Sequence, residues 1–181
     1  RTAMKARAEG KKVEIEAADV PFGIGSGSGV ICGVTGGVTE AVLRRLQQGH
    51  NRVDIESIKK SGVRGDDGIK VLTYNYNGRE IKAAVVNGLA NADKVLQQIK
   101  NHEAEYDFVE VMACRRGCIM GGGQPVNAGP RTRKARMKGL YDTDVNTQIK
   151  KSNENPMILS LYDTLLKGKE HELLHRNFSG K

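Results

Sequence analysis

Residues 109–125 read VEVMACRRGCIMGGGQP, and this stretch decides how the rest of the chain is interpreted. The apolar run over residues 106–112 predicts a buried strand, and Cys114 and Cys118 follow it directly. Three consecutive glycines come next, and glycine lets the backbone approach a bulky group closely. These features predict a loop that presents two thiolates side by side, which suits a metal cluster better than a disulfide or a pair of core cysteines.

The chemistry of this cysteine pair points to a cluster that the chain cannot complete. Thiolate ligands select iron–sulfur clusters, zinc or copper(I), and the positive charge of Arg115 and Arg116 offsets that of an anionic cluster. The C-x₃-C spacing alone is a weak signal, and two ordinary buried cysteines are the alternative interpretation. A cubane cluster takes four protein thiolates, whereas the chain has three cysteines, the third being Cys32. We therefore predict an incomplete site.

Composition limits the class of protein. The chain has 181 residues, enough for one domain, and it starts at Arg1, which is consistent with a piece of a longer protein. Its net charge of +8 admits acidic partners, but aromatic residues make up 4% and tryptophan is absent, so we predict no nucleic-acid partner. The absence of an 18-residue apolar run predicts no membrane association, and the few cysteines predict a reducing compartment, the cytoplasm.

The remaining pattern alternates strands with helices and predicts an α/β fold with a mixed sheet flanked by helices. Residues 69–76 and 80–87 alternate around Asn77-Gly78, a strong hairpin signal. Further strand candidates are residues 12–16 and residues 30–33, the latter after an irregular glycine-rich loop over residues 21–29.

Three helices are predicted, each with an apolar face turned inward. The first opens at residues 35–37, the second covers residues 91–101, and the third begins with a cap and proline at Asn155-Pro156. The side chains expected to be buried are Val38, Ala41, Val42 and Leu46 in the first, Val95, Leu96 and Ile99 in the second, and Ile158, Leu161, Tyr162 and Leu165 in the third.

Other motifs carry weaker signals. His171-Glu172-Leu173-Leu174-His175 matches the zinc-hydrolase pattern H-E-x-x-H, but only six residues follow it and they offer poor third ligands. We interpret it as a packing helix. The glycine-rich segment 23–37 fits no phosphate-loop register, and the basic run 131–138 is typical of a solvated helix face.

Three blocks of the chain resemble the catalytic domain of the iron-only ([FeFe]) hydrogenases. Residues 29–41, GVICGVTGGVTEA, are similar to that family's V-I-F-G-A-T-G-G-V-M-E-A. Residues 85–92, VVNGLANA, are similar to V-x-H/N-G-L-x-N-A, and residues 110–125 are similar to E-V-M-A-C-x-x-G-C-x-x-G-G-G-Q-P. A fourth, weaker block over residues 153–175 resembles the family's small-subunit-like C-terminus.

The resemblance implies an H-cluster, a [4Fe-4S] cubane joined through one cysteine sulfur to a two-iron subcluster with CO and cyanide ligands. By this resemblance Cys114 ligates the cubane, and Cys118 is both a cubane ligand and the bridge. Met112 and Gly33 line the two-iron pocket, and Gln124 is a further cofactor-binding residue. The implied reaction is reversible proton reduction to dihydrogen.

The same resemblance implies an organisation and partners. Residues 1–130 are expected to be the second lobe of the catalytic domain, and residues 131–181 a helical wrap. The other two cubane cysteines come from an upstream half of the same domain, so this chain alone is expected to be inactive. Electrons come from ferredoxin or another carrier protein.

One departure from the family supports an alternative function. Cys32 stands where the family usually has a phenylalanine beside the two-iron unit. Such a change favours a non-catalytic iron–sulfur protein of the hydrogenase-like family that acts in sensing or cluster assembly.

Overall fold

The computed structural model describes residues 23–50, 52–65, 68–125 and 129–175. These residues form one mixed sheet with helices on both faces, which confirms the predicted class. The strands are β1 (Ile69–Tyr76), β2 (Arg79–Asn87) and β3 (Phe108–Met112). The helices are α1 (Gly27–Ile31), α2 (Gly37–Leu46), α3 (Ile55–Lys60), α4 (Leu89–Lys100), α5 (Pro130–Asn146), α6 (Pro156–Asp163) and α7 (Glu170–Leu174), with 3₁₀ turns at Cys118–Met120 and Ser152–Glu154. In this part of the chain no helix is long and apolar enough to span a bilayer.

The predicted hairpin forms the antiparallel half of the sheet. Tyr76 pairs with Arg79 across Asn77 and Gly78, whose φ angles of 52° and 79° are the positive values that a tight two-residue hairpin turn requires. The predicted strand at residues 12–16 lies outside the described residues.

The parallel half of the sheet places the cysteine loop. Strand β3 pairs in parallel with β2, so the two strands end at the same edge of the sheet, and α4 is the crossover between them. The amide of Gly88 donates to the carbonyl of Met112 at 2.7 Å and joins the two strand ends. The cysteine loop therefore leaves the sheet beside the start of α4.

The core has a separate apolar cluster on each sheet face. One face packs Ala83 and Val85 against α2 and α3, and the other packs Ala84 and Val86 against α4. Helix α4 confirms the helix predicted over residues 91–101. Of the three side chains predicted to point inward, only Val95 is buried, whereas Leu96 and Ile99 are 61% and 37% exposed. Its contact with the sheet is narrow because Ala92 and Val95 alone provide its buried side chains.

The predicted strand at residues 30–33 is wrong. Helix α1 covers Gly27–Ile31, and the preceding loop is shorter than predicted; its residues 21–22 lie outside the described part. Ser26 caps the helix by accepting from the amide of Gly29, and the amide of Gly27 donates to the carbonyl of Ile149 at 2.8 Å. A partner more than a hundred residues away thus overrides the local strand preference of this segment.

Helix α2 begins at Gly37 as predicted, but its buried face differs. Leu43, Glu40 and Arg44 are buried, whereas Val38 is 36% exposed. Two polar residues therefore occupy a face that the sequence pattern assigned to apolar side chains.

A buried ion network explains this face. Arg44, with no exposed surface, donates to Asp144 on α5 at 2.7 and 2.6 Å and to Glu40 at 2.7 Å. Arg64 donates to both oxygens of Glu40 at 2.8 and 2.7 Å, so two cations and two carboxylates balance. Burial alone lowers the pKa of Arg44, but the hydrogen bonds that Arg44 donates to Asp144 and Glu40, together with the charges of these carboxylates, raise that pKa above its usual value. The network fastens α5 to α2.

Helix α6 begins where it was predicted to begin, but its buried side chains differ from the predicted ones. The side chain of Asn155 accepts from the amide of Met157, which confirms the cap of α6. Tyr162 and Leu165 are 44% and 73% exposed, contrary to the prediction, because α6 ends at Asp163 and the following turn buries Leu166 instead.

Candidate cluster-binding site

The cysteine loop opens onto one cavity at the end of β3. Cys114 and Cys118 are exposed free thiols, and both line a cavity of about 470 Å³. The same cavity is lined by Cys32, by Val38 of α2 and by residues 108–113 of β3 and its C-terminal end. The structure thus brings together four of the predicted site residues, Cys32, Met112, Cys114 and Cys118.

The remaining two predicted residues lie differently. The carbonyl of Gly33 accepts from the amide of Ile119 at 3.2 Å, so Gly33 contacts the loop through its backbone. Gln124 is exposed and is not among the residues that line the cavity.

Gly117 sets the path of the loop between the two cysteines. Its φ of +80° lies in the left-handed region, and a Cβ at this position would lie 3.0 Å from both the carbonyl oxygen of Gly33 and the amide nitrogen of Thr35. It would also lie 3.3 Å from the sulfur of Met112. The loop can therefore pack against residues 33–35 only with glycine here.

We expect Gly117→Ala to lower the free energy of unfolding by about 1–3 kcal/mol, because alanine is strained in this conformation and its Cβ displaces the loop. Gly122→Ala is the matched control, since a Cβ there would meet nothing within 4 Å and its φ is not positive. We expect the control to change stability by less than about 0.5 kcal/mol in urea denaturation. Equal effects of the two substitutions would contradict this role.

Glu110 is a buried carboxylate that the sequence interpretation did not assign. It is 4% exposed and accepts from the amide of Gly36 at 2.8 Å and from the amide and hydroxyl of Thr39, both at 2.7 Å. The charge lies at the start of α2, where the helix dipole stabilises an anion. The sequence feature that could have identified Glu110 is its position as a single carboxylate inside an apolar strand. A buried carboxylate needs hydrogen-bond partners. Glu110 ties β3 to the start of α2, which directly follows the residues 33–35 that contact the cysteine loop.

Cys32 differs from the other two cysteines. Its thiol is half-buried and donates to the carbonyl of Ser28 at 3.1 Å. Burial raises the pKa of Cys32, and the charges of Glu110 and Cys118 raise it further. Cys32 is therefore a partly buried residue of the cavity wall, whereas Cys114 and Cys118 are exposed.

The donors fit half of a cubane site. Two exposed thiols on one loop face a shared cavity, and soft sulfur donors are those that iron–sulfur clusters require. Glycine backbone lies against one of them, because a Cβ on Gly121 would come within 2.9 Å of the sulfur of Cys114. Among the described residues no group of three or more His, Cys, Asp or Glu side chains could hold a metal ion. A cubane therefore needs ligands from elsewhere.

Comparison with known proteins identifies the family. The protein-family model described as iron only hydrogenase large subunit, C-terminal domain, matches residues 2–122. The chain belongs to the iron-only hydrogenase family. A second family model, the iron hydrogenase small subunit, matches residues 130–181.

Several relatives of this hydrogenase-family chain are longer proteins. Iron hydrogenase 1 from Clostridium pasteurianum is 37% identical over 174 residues, which cover 91% of this chain and 30% of that protein. A solved variant of the [FeFe]-hydrogenase HydA1 from Chlamydomonas reinhardtii is 32% identical with a TM-score of 0.61, covering 97% of this chain and 53% of the other. The chain thus spans about a third of the first relative and about half of the second.

The chain is also similar to proteins with other names. A probable cytosolic Fe-S cluster assembly factor from Aedes aegypti is 27% identical over 154 residues, which cover 80% of this chain and 31% of that protein. Identity to the Clostridium hydrogenase is higher.

Two other features of this hydrogenase-family chain lie apart from the cysteine cavity. The rings of His171 and His175 stack with centroids 4.7 Å apart, and both residues are exposed. With no third ligand grouped beside them in the described part of the chain, they do not support the zinc-hydrolase pattern. A wider depression of about 710 Å³ lies between the α2–α3 loop and the hairpin tip, and no cysteine lines it.

Proposed function

We propose that this chain is part of an iron-only hydrogenase that catalyses reversible proton reduction to dihydrogen at an H-cluster. The observation that carries the proposal is the pair of exposed thiols, Cys114 and Cys118, on one glycine-rich loop that opens onto a single cavity. The family membership of the chain supports the same assignment.

In this proposal Cys114 would ligate the cubane, and Cys118 would ligate both the cubane and the two-iron subcluster. When bound, the cluster would supply electrons and an iron site for hydrogen chemistry. The protein's part is to hold and enclose that group. Met112, which is 9% exposed, and the apolar residues of β3 form a cavity wall that limits access of water. Gly33 supports the loop through its carbonyl, and Gln124 remains a proposed cofactor contact.

The proposal includes components outside this sequence. Two further cubane thiolates come from an upstream half of the same catalytic domain, and ferredoxin or another carrier protein exchanges electrons with the cubane. Residues 1–130 form the second lobe and residues 131–181 the helical wrap, a division supported by the two family models with their separate matches. We place the protein in the cytoplasm because its three cysteines suit a reducing compartment.

The second candidate is a non-catalytic iron–sulfur protein for sensing or cluster assembly. Two observations favour it: the similarity to a probable Fe-S cluster assembly factor, and the position of Cys32 in the cavity wall. In this case a cubane binds but no two-iron subcluster is required.

Infrared spectroscopy separates the two candidates. The protein that carries this sequence, completed by its upstream half and produced with the maturation machinery, is expected to show CO and cyanide stretching bands. A protein with a cubane by iron analysis but without these bands is the assembly or sensing type. This chain without the upstream half is expected to retain little iron, and a stable load of four irons per chain would contradict our ligand count.

A further inference from the structure

Arg136 of α5 contacts the cysteine loop directly. Its guanidinium donates to the carbonyl of Ile119 at 2.7 Å and lies 3.9 Å from the sulfur of Met120. Ile119 follows Cys118 in the chain, and both Ile119 and Met120 belong to the 3₁₀ turn that starts at Cys118. A positive charge on a different helix is thus fixed next to the turn that carries this cysteine.

The peptide groups of Ile119 are held from two sides. Its amide donates to the carbonyl of Gly33, and its carbonyl accepts from Arg136. Its side chain is buried with Ile31 and Val34, against Met137 and Leu140 of α5. Holding the peptide groups of Ile119 also fixes the backbone of Cys118, which is the adjacent residue. This arrangement therefore restricts the position of the Cys118 sulfur.

The packing of α5 makes this contact stable. The ion pair between Arg44 and Asp144 fixes the C-terminal end of α5, and the side chain of Lys150 donates to the carbonyls of Asp144 and Val145 at that same end. Arg136 therefore projects from a helix that has contacts of its own with α2, in addition to those it makes with the cysteine loop.

We propose that Arg136 is a positioning residue of the cluster site, which holds the turn after Cys118 in place and raises the reduction potential of the bound cubane. The second part rests on the proposed function. A cubane with four thiolates is anionic, and its potential depends on nearby charge and hydrogen bonding. A fixed guanidinium beside its loop favours the reduced, more negative state.

The first test needs no cluster. In this chain without iron, Arg136→Gln is expected to speed amide hydrogen exchange at residues 118–121 several-fold relative to wild type. Lys134→Gln is the matched control, because Lys134 is an exposed cation on the same helix. Arg136→Lys keeps the charge but loses the planar donor geometry, so its exchange rate is expected to lie between those of wild type and Arg136→Gln. If Arg136→Gln does not fold, Arg136→Lys replaces it in the comparison with the control. Equal exchange in the Arg136 variants and the control would overturn the positioning role.

The second test uses the protein completed by its upstream half and loaded with iron and sulfide. The midpoint potential of the cubane, from a titration followed by electron paramagnetic resonance, is expected to be more negative in Arg136→Gln than in wild type. Arg136→Lys is expected to stay near the wild-type value, as is Lys134→Gln. The same potential in Arg136→Gln and Lys134→Gln would overturn the electrostatic role. A wild-type protein that binds no cubane would instead refute the proposed function, and the exchange experiment would still decide the positioning role.

Discussion

Replacing Cys118 with serine is expected to abolish both hydrogenase activity and the two-iron subcluster in the protein completed by its upstream half. Cys118 is the proposed bridge between the two parts of the H-cluster, and a serine hydroxyl is a far poorer iron ligand than a thiolate. The substitution is nearly isosteric and the side chain is exposed, so the fold should remain intact. Iron content, infrared spectra in the CO and cyanide region and hydrogen evolution measure the three consequences separately.

Two companion variants sharpen this test. Cys114→Ser removes the other cubane ligand of this chain and is expected to reduce iron content as well. Lys134→Ser changes an exposed residue of α5 outside the cysteine loop, and it is expected to retain the iron load because it removes no ligand. A Cys118→Ser protein with unchanged iron content and infrared bands would contradict the assignment of the bridge.

Replacing Arg44 with methionine is expected to lower the free energy of unfolding of this chain by about 3–5 kcal/mol. The substitution leaves the carboxylate of Asp144 buried without its bidentate partner, while Glu40 keeps Arg64. It also releases α5 from α2, so the contact of Arg136 with the cysteine loop should weaken. Urea denaturation followed by circular dichroism gives the change in stability.

The neighbouring residue supplies the control for this prediction. Arg45→Met removes the same charge from an exposed position of α2, and a change of less than about 0.5 kcal/mol is expected. The double variant Arg44→Met with Asp144→Leu should recover part of the loss, because it removes the unpaired carboxylate as well. Similar losses in Arg44→Met and Arg45→Met would show that the buried network contributes little.

The elements that could be predicted from sequence are those with local signals. The Asn77-Gly78 turn, the cap at Asn155 and the strand before the cysteines each depend on residues within a few positions of one another. The buried faces of the helices were less predictable. Apolar periodicity assigned Val38 and Leu165 to the core, but both are exposed, because packing partners distant in sequence decide which face is covered.

From the order of residues alone we could derive that a glycine-rich loop carries two cysteines directly after a strand, and that three cysteines cannot complete a cubane. The residues that surround this loop become known only from the folded chain. Glu110 meets Thr39 across 71 positions of the chain, Arg44 meets Asp144 across 100, and Arg136 reaches Ile119 from a separate helix. The physical reason is burial: a polar side chain inside the protein needs a partner, and no local pattern specifies which distant residue provides it.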